Sequence, residues 1–166
     1  CRATSSGPGL LDFRTGPSPH GSYQVSMGTN LGRVAFLAAG AKKKYMSYTR
    51  ADVPEDLLKP AVHVWIEPNE PIKSQKNVFW ASPVQHVVLK SNENAVVQPD
   101  KLETVPVEWT ILVGKFTGNK ANVIFPIDAV KALPPGDFDV VLIAEAGQRR
   151  CKVGQGDRKK LGLLGG

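Results

Sequence analysis

Residues 133–153 read LPPGDFDVVLIAEAGQRRCKV, and this stretch decides the fold. The Pro-Pro-Gly run at 134–136 predicts a turn, because proline fixes one backbone angle and glycine tolerates angles that other residues avoid. The apolar run at 138–144 predicts a strand, and a glycine-containing turn leads from it into a second strand that carries Cys151. We therefore expect a β-hairpin at the centre of an all-β protein.

The rest of the chain repeats this pattern of short strands and turns. Its 166 residues suit one domain with tails, and its 16 glycines and 13 prolines lie mostly in turns and near the ends. Strand-like runs follow one another at the spacing that is typical of an antiparallel β-sandwich. The sequence predicts an extended N-terminal arm at 1–22, a β-sandwich domain at 23–153 and a basic, glycine-rich tail at 154–166.

Four other segments give specific expectations. The apolar run RVAFLAA at 33–39 predicts a strand, and the proline-bounded segment ADVPEDLLKP at 51–60 predicts a short helix. Residues 62–67 alternate strictly, which predicts a strand with one apolar face. Residues 103–116 predict one long strand that bends at Pro106.

The six residues LPPGDF at 133–138 carry a resemblance to a known class of domain. The pattern resembles the penultimate hairpin of many extracytoplasmic immunoglobulin-like and fibronectin-type-III-like domains, except that Phe138 stands where tyrosine is usual. The resemblance implies an immunoglobulin-like antiparallel β-sandwich. It implies no particular activity, because such domains serve many functions.

The two cysteines, Cys1 and Cys151, leave several alternatives open. A cysteine at position 1 before a Gly/Ser/Pro-rich segment resembles the mature N-terminus of a bacterial lipoprotein. That resemblance implies a lipid on Cys1, membrane anchoring and a buried free thiol at Cys151. The second alternative is a Cys1–Cys151 disulfide formed in an oxidising compartment, and the third is a processing product without significance. Both main alternatives predict a location in the periplasm, at the outer membrane or at the cell surface.

The formal net charge is +6, and it is concentrated near one end of the chain. Positions 149–160 contain one acidic residue, Asp157, and six basic residues: Arg149, Arg150, Lys152, Arg158, Lys159 and Lys160. Such a basic end fits either an acidic partner or a solvated tail. Nucleic acid is not an expected partner, because no aromatic residues alternate with these charges to stack on bases.

Two groups of apolar residues predict surfaces that contact other proteins. Leu10, Leu11 and Phe13 form an apolar island in the otherwise polar arm. Val141 and Ile143 fall on the strand face opposite Phe138, where a sandwich is usually polar. Together with the basic end, these residues predict contacts with other subunits of an assembly.

No catalytic or nucleotide-binding motif occurs in the sequence. The three histidines, His20, His63 and His86, have no spacing that predicts a metal site. We therefore expect a protein that is not an enzyme and that holds neither a metal nor another cofactor.

The alternative to a structural subunit is a ligand-binding module, most plausibly for carbohydrate. Trp65 lies on the polar face of its predicted strand and Trp80 precedes a proline turn, so both are candidates for stacking on a sugar. Trp109 instead matches an apolar face and is predicted in the core.

Overall fold

The structure is a computed structural model that describes residues 1–7, 9–15 and 21–164. Strands hold 51% of the residues and helices 19%, so the mostly-β class is confirmed. The strands of the described ranges are β1 (Ala3–Gly7), β2 (Leu10–Arg14), β3 (Tyr23–Thr29), β4 (Ala61–Pro68), β5 (Ile72–Ser74), β6 (Asn77–Phe79), β7 (Val84–Asn92), β8 (Ala95–Val97), β9 (Lys101–Ile111), β10 (Gly114–Pro126), β11 (Phe138–Ala144) and β12 (Gly147–Val153). The α-helices described are α1 (Asn30–Lys43), α2 (Ile127–Lys131) and α3 (Gln155–Lys160).

Ten of these strands form two antiparallel sheets. The six-stranded sheet has the order β1-β2-β3-β4-β10-β9, and the four-stranded sheet has the order β12-β11-β7-β8. Strands β5 and β6 pair only with each other. The predicted hairpin at 133–153 is confirmed as β11 and β12, which pair from Phe138 opposite Val153 to Ala144 opposite Gly147.

The facing sides of the two sheets share a single apolar core. Val62, Val64 and Ile66 of β4 are almost completely buried, as their strict alternation predicts. Val140 and Leu142 of β11 are fully buried in the same cluster from the other sheet.

The two sheets are joined along one side, where β1 meets β12. Cys1 and Cys151 form a disulfide, which is the second of the alternatives from the sequence. The Cys1 nitrogen donates to the Arg150 carbonyl at 3.0 Å, and the Lys152 N–H donates to the Cys1 carbonyl at 3.0 Å. One edge of each sheet is therefore closed by a covalent bond and by backbone hydrogen bonds.

The prediction of an extended arm at 1–22 is wrong for the described part of that segment. Strands β1 and β2 belong to the six-stranded sheet, and Leu10, Leu11 and Phe13 are buried in the protein itself. Leu11 and Phe13 stand at the two-residue period of a strand, so both side chains enter the core. They form no contact surface. Residues 8 and 16–20, which include His20, lie outside the described residues.

The outward apolar residues of β11 are also mostly covered. Val141 is only 3% exposed and lies opposite Val88 of β7, which is itself buried, so Val141 offers no contact surface. Ile143 is half-buried. The reason is that β11 has a neighbour on each side, β7 and β12, whose side chains shield its outer face.

The predicted tail at 154–166 is part of the folded body as far as it is described. It forms α3, and Leu161 and Leu163 that follow are buried in the core. Arg158 is 2% exposed and therefore makes no contact with a partner. Its guanidinium donates to three carbonyl oxygens of the turn before β11, those of Leu133 (3.1 Å), Pro134 (2.6 Å) and Gly136 (3.0 Å).

Two further sequence expectations need correction. The segment 51–60 forms no continuous helix but two single 3-10 turns, Arg50–Asp52 and Glu55–Leu57, because Pro54 between them has no N–H to donate. The predicted long strand at 103–116 is a hairpin, since β9 ends at Ile111 and β10 begins at Gly114, whose φ of 144° favours glycine. Residues 114–120 pair with β9 alone, so this hairpin projects beyond β4.

Replacing Arg158 with methionine should destabilise the fold by about 3 kcal/mol, because three turn carbonyls would lose a charged donor. Urea unfolding of the purified protein measures this free energy. The matched control is Lys159→Met, an exposed neighbour that should change stability by less than about 0.5 kcal/mol. Equal stability of the two variants would contradict the role given to Arg158.

Candidate functional site

Helix α1 is the element that the sequence analysis assigned wrongly as a strand. The Thr29 hydroxyl caps its first turn by accepting from the Gly32 N–H at 3.4 Å, and Lys42 and Lys43 in its last turn suit the negative end of the helix dipole. These cap signals surround the apolar run and were the available clue. The segment is alanine-rich, and Gly32 and Gly40 lie inside the helix instead of bounding a strand.

The first turn of α1 is fixed to the body of the protein. A Cβ atom at Gly32 would lie 2.4 Å from the Gly9 carbonyl oxygen, so this close approach requires glycine. The Asn30 side chain donates to the Leu57 carbonyl at 3.0 Å and accepts from the Ala61 N–H at 3.3 Å. Arg33 lies over the Trp65 ring of β4, 5.0 Å from its centroid. These contacts place α1 on the outer side of the six-stranded sheet.

The rest of α1 is apolar on the side that faces solvent. Gly32 of α1 is buried, whereas Leu31 is 76% exposed and Phe36 is 54% exposed. Beyond the helix, Tyr45 is fully exposed and Met46 is 62% exposed. We call this surface the α1 face, and its exposed members are Leu31, Ala35, Phe36, Ala39, Gly40, Tyr45 and Met46. A surface helix normally presents polar residues on this side, so the α1 face is unusual.

The end of α1 holds Tyr45 in a strained conformation. The Met46 N–H donates to the Ala41 carbonyl at 2.9 Å and the Tyr45 N–H donates to the Lys42 carbonyl at 3.0 Å, which together form a Schellman motif. Tyr45 occupies the left-handed position of that motif with a φ of 56°, where glycine is usual. The protein therefore places a fully exposed aromatic ring at a position that disfavours it.

The α1 region also carries a cluster of basic residues. Residues 30–50 contain no acidic residue and five basic ones: Arg33, Lys42, Lys43, Lys44 and Arg50. None of the ion pairs found among the described residues involves these five side chains. The first acidic residue after them is Asp52, whose pKa is held below its usual value chiefly by the hydrogen bond from the Thr49 N–H.

The basic end at 149–160, which the sequence analysis preferred, is largely neutralised. The half-buried Arg149 donates to the Gly21 carbonyl at 2.9 Å, which makes it an internal contact. Exposed basic side chains pair with neighbouring carboxylates: Arg150 with Asp139 at 3.7 Å, Lys152 with Asp137 at 3.8 Å and Lys160 with Asp157 at 3.7 Å. Lys159 is exposed. Contacts of the exposed members with a partner stay a prediction.

An apolar hollow adjoins the α1 face. Its volume is about 400 Å³, and it lies between α1 and the segment 46–52. Phe36, Gly40 and Met46 belong both to its lining and to the α1 face, so the two surfaces are continuous. The Tyr48 hydroxyl, on the wall of the hollow, is buried and has no hydrogen-bond partner among the described residues.

Trp65 lies in a second concavity, a groove of about 370 Å³ on the outer face of the six-stranded sheet. The half-buried Trp65 ring stacks on His63 with centroids 5.2 Å apart. Polar side chains line the rest of this groove: Gln24, Ser26, Glu67, Glu103, Lys120 and Asn122. Within it, Lys120 pairs with Glu67 at 3.4 Å, and the hydrogen bond from Lys101 lowers the pKa of Glu103.

Trp80 lies elsewhere, in an aromatic cleft of about 570 Å³ between the β5–β6 hairpin and β10. Its ring packs against Phe116, with centroids 5.3 Å apart. The two tryptophans therefore do not form one sugar platform. Trp109 is half-buried on the projecting hairpin and not in the core, which corrects its sequence assignment.

The two histidines within the described residues, His63 and His86, lie apart. His63 lies on β4 and His86 on β7, in different sheets. His63 Nδ1 is 3.5 Å from Asn122 Oδ1, and His86 Nε2 is 2.8 Å from Gln98 Oε1. Among the described residues, no group of three or more His, Cys, Asp or Glu side chains could hold a metal ion.

Comparison of the chain with family models, curated proteins and solved structures finds no match in any of the three. No helix in the described part of the chain is long and apolar enough to cross a bilayer.

Replacing both Cys1 and Cys151 with serine should lower the free energy of unfolding by about 3 kcal/mol, because the disulfide restricts the unfolded chain over 150 residues of sequence. Urea unfolding measures the loss, and the wild-type protein treated with reductant serves as the control. Intact mass spectrometry of the protein from its native source should give a mass two hydrogens below the reduced form. A diacyl or triacyl mass, or two free thiols, would contradict the disulfide.

Proposed function

We propose that the protein is a non-enzymatic structural or accessory subunit of a larger extracytoplasmic assembly, attached through the α1 face. The two antiparallel sheets around one core support an immunoglobulin-like sandwich as the scaffold. The disulfide supports an oxidising compartment such as the periplasm or the cell surface.

The observation that carries this proposal is the exposure of the α1 face. Leu31, Phe36, Tyr45 and Met46 stand together in solvent at one end of the domain, where no other described element covers them. A contiguous apolar surface of this kind marks an interaction site in a soluble protein. Because α1 already has a defined cap at each end, it presents a preformed surface and loses little entropy when it binds.

Attachment through the α1 face does not require a lipid on Cys1. A sulfur atom bonded to Cys151 has no valence left for a lipid, so the disulfide and the lipoprotein are exclusive alternatives. The intact mass decides between them. In the disulfide form, the α1 face provides the attachment that a lipid on Cys1 provides in a lipoprotein.

The double variant Leu31→Ser/Phe36→Ser should detach the protein from its assembly without unfolding it, because both side chains are exposed in the free domain. Native sedimentation of gentle extracts from the source cells measures this. Wild type should sediment with the assembly, and the variant should sediment as a free 17.9 kDa chain. The matched control is Leu112→Ser, at the tip of the β9–β10 hairpin and more exposed than either residue, which should sediment like wild type. Co-sedimentation of the double variant with the assembly would refute attachment through α1.

The second candidate function, carbohydrate binding, is favoured by the groove at Trp65. There an aromatic ring is surrounded by amide, hydroxyl and carboxylate side chains of the kind that bind sugar hydroxyls. Arg33 lies over the ring, so a sugar has to displace the guanidinium or use the ring edge.

If this second function is correct, Trp65→Ala should weaken binding on a glycan array at least about tenfold. Trp80→Ala is the control, since Trp80 lies in the other cleft and its loss should leave binding unchanged. Thermal midpoints of both variants show whether they remain folded. An intact protein that gives no signal on the array rules this function out.

A further inference from the structure

We infer that the surface covering the α1 face is an anionic lipid bilayer. This inference rests on the attachment through α1 proposed above and names the partner of that same surface. It follows from the shape, the charge and the residue types of the α1 region.

The shape of the α1 face fits a flat apolar boundary. Successive helix residues turn by 100°, so Leu31, Ala35, Phe36, Ala39 and Gly40 spread over about half of the helix circumference. A helix of 14 residues is about 21 Å long. Lying in the plane of a membrane surface, such a helix buries its whole exposed side at once.

The positive charge of the α1 region favours a bilayer whose surface is anionic. Lys42, Lys43 and Lys44 follow directly on the apolar part of the helix, and Arg50 lies close by in sequence. Each basic residue near an anionic bilayer strengthens binding by roughly fivefold. The lysine stems extend along an apolar boundary while their ammonium groups stay at the headgroups.

The same charges favour a bilayer over an acidic groove on a protein. Three consecutive lysines at the end of a helix point in directions about 100° apart. A protein groove needs carboxylates fixed in three different directions, whereas mobile lipids can gather around each flexible lysine. The carboxylate nearest in sequence, on Asp52, accepts from the backbone N–H and the hydroxyl of Thr49, and no ion pair found among the described residues joins it to these lysines.

The residues that follow the lysines are of the type that membrane interfaces favour. Tyr45 combines an apolar ring with a polar hydroxyl and is fully exposed despite its left-handed backbone. Met46 adds a flexible apolar side chain beside it. The hollow of about 400 Å³ behind Phe36 and Met46 adds apolar surface for part of an acyl chain. The Tyr48 hydroxyl on its wall is a donor that no described residue uses.

Vesicle co-sedimentation of the purified, disulfide-bonded protein tests this inference. The protein should bind vesicles of an equimolar phosphatidylcholine–phosphatidylglycerol mixture, and it should bind vesicles of phosphatidylcholine alone at least about tenfold more weakly. Salt should weaken binding to the anionic vesicles, because it screens the lysines. Replacing Lys42, Lys43 and Lys44 with glutamine should weaken that binding by about a hundredfold.

The matched control removes the same charge from another exposed place. Replacing Lys152, Lys159 and Lys160 with glutamine should leave vesicle binding within about threefold of wild type, because these lysines belong to β12 and α3, whereas α1 packs on β3, β4 and the turn at Glu55–Leu57. For the apolar part, Phe36→Ser should weaken binding and the hairpin-tip variant Leu112→Ser should not. Tyr45→Gly is a variant whose loss of vesicle binding cannot be attributed to loss of stability. Glycine suits the left-handed position, so its thermal midpoint should rise while vesicle binding falls.

The inference is overturned if the wild-type protein does not bind the anionic vesicles, or if both triple lysine variants lose binding equally. It is also overturned if the α1-face variants bind like wild type. Loss of the cellular assembly in Leu31→Ser/Phe36→Ser, combined with no vesicle binding by wild type, would assign the α1 face to a protein partner. Attachment through α1 would then stand, and the bilayer as its partner would not.

Discussion

The body of this protein depends on the closure of its two sheets along one side. Strand β1 is the edge of one sheet and β12 is the edge of the other, and the Cys1–Cys151 disulfide joins them where their backbones exchange hydrogen bonds. Unpaired edges are where sandwiches tend to aggregate, and this contact covers part of two of them. It also brings the first strand of the chain beside the hairpin that follows residue 133.

The same hairpin is held from a second direction by Arg158. A buried guanidinium is costly unless acceptors surround it, and here Nη1 and Nη2 of Arg158 donate to the turn carbonyls at 133, 134 and 136, while its buried Nε has no partner among the described residues. The Phe138 ring lies 5.6 Å from the guanidinium carbon and adds an apolar cover. Closure at β1 and the guanidinium contact thus make both ends of the described chain part of the core. This is why neither end offers the free contact surface that the sequence had predicted.

Because both described ends belong to the core, the proposed contact surface is α1 and not the ends of the chain. The basic residues at 149–160 are largely bonded to carbonyls or paired with carboxylates, whereas those at 30–50 are not. From the sequence alone, the end at 149–160 was the preferred basic surface. The difference arises because Asp137, Asp139 and Asp157 form ion pairs with side chains of the first region, whereas none of the ion pairs found among the described residues involves a basic side chain of the second.

The sequence by itself determined the features that depend on neighbouring residues. The hairpin at 133–153, the mostly-β class and the apolar face of β4 all follow from turn residues and two-residue alternation, which act over a few positions. The two cysteines left a lipid, a disulfide and a processing product without significance as alternatives. The strand predicted at 33–39 was wrong because residues 34–39 are all apolar, so no period distinguishes a strand from a helix. The exposure of individual side chains is visible only in the tertiary structure. Leu11 and Phe13 lie in the core, Arg158 is buried against its turn, and Phe36 is exposed to solvent. The physical reason is that burial depends on residues distant along the chain, such as Gly9 against Gly32 or Arg158 against Pro134, and no local pattern records those contacts.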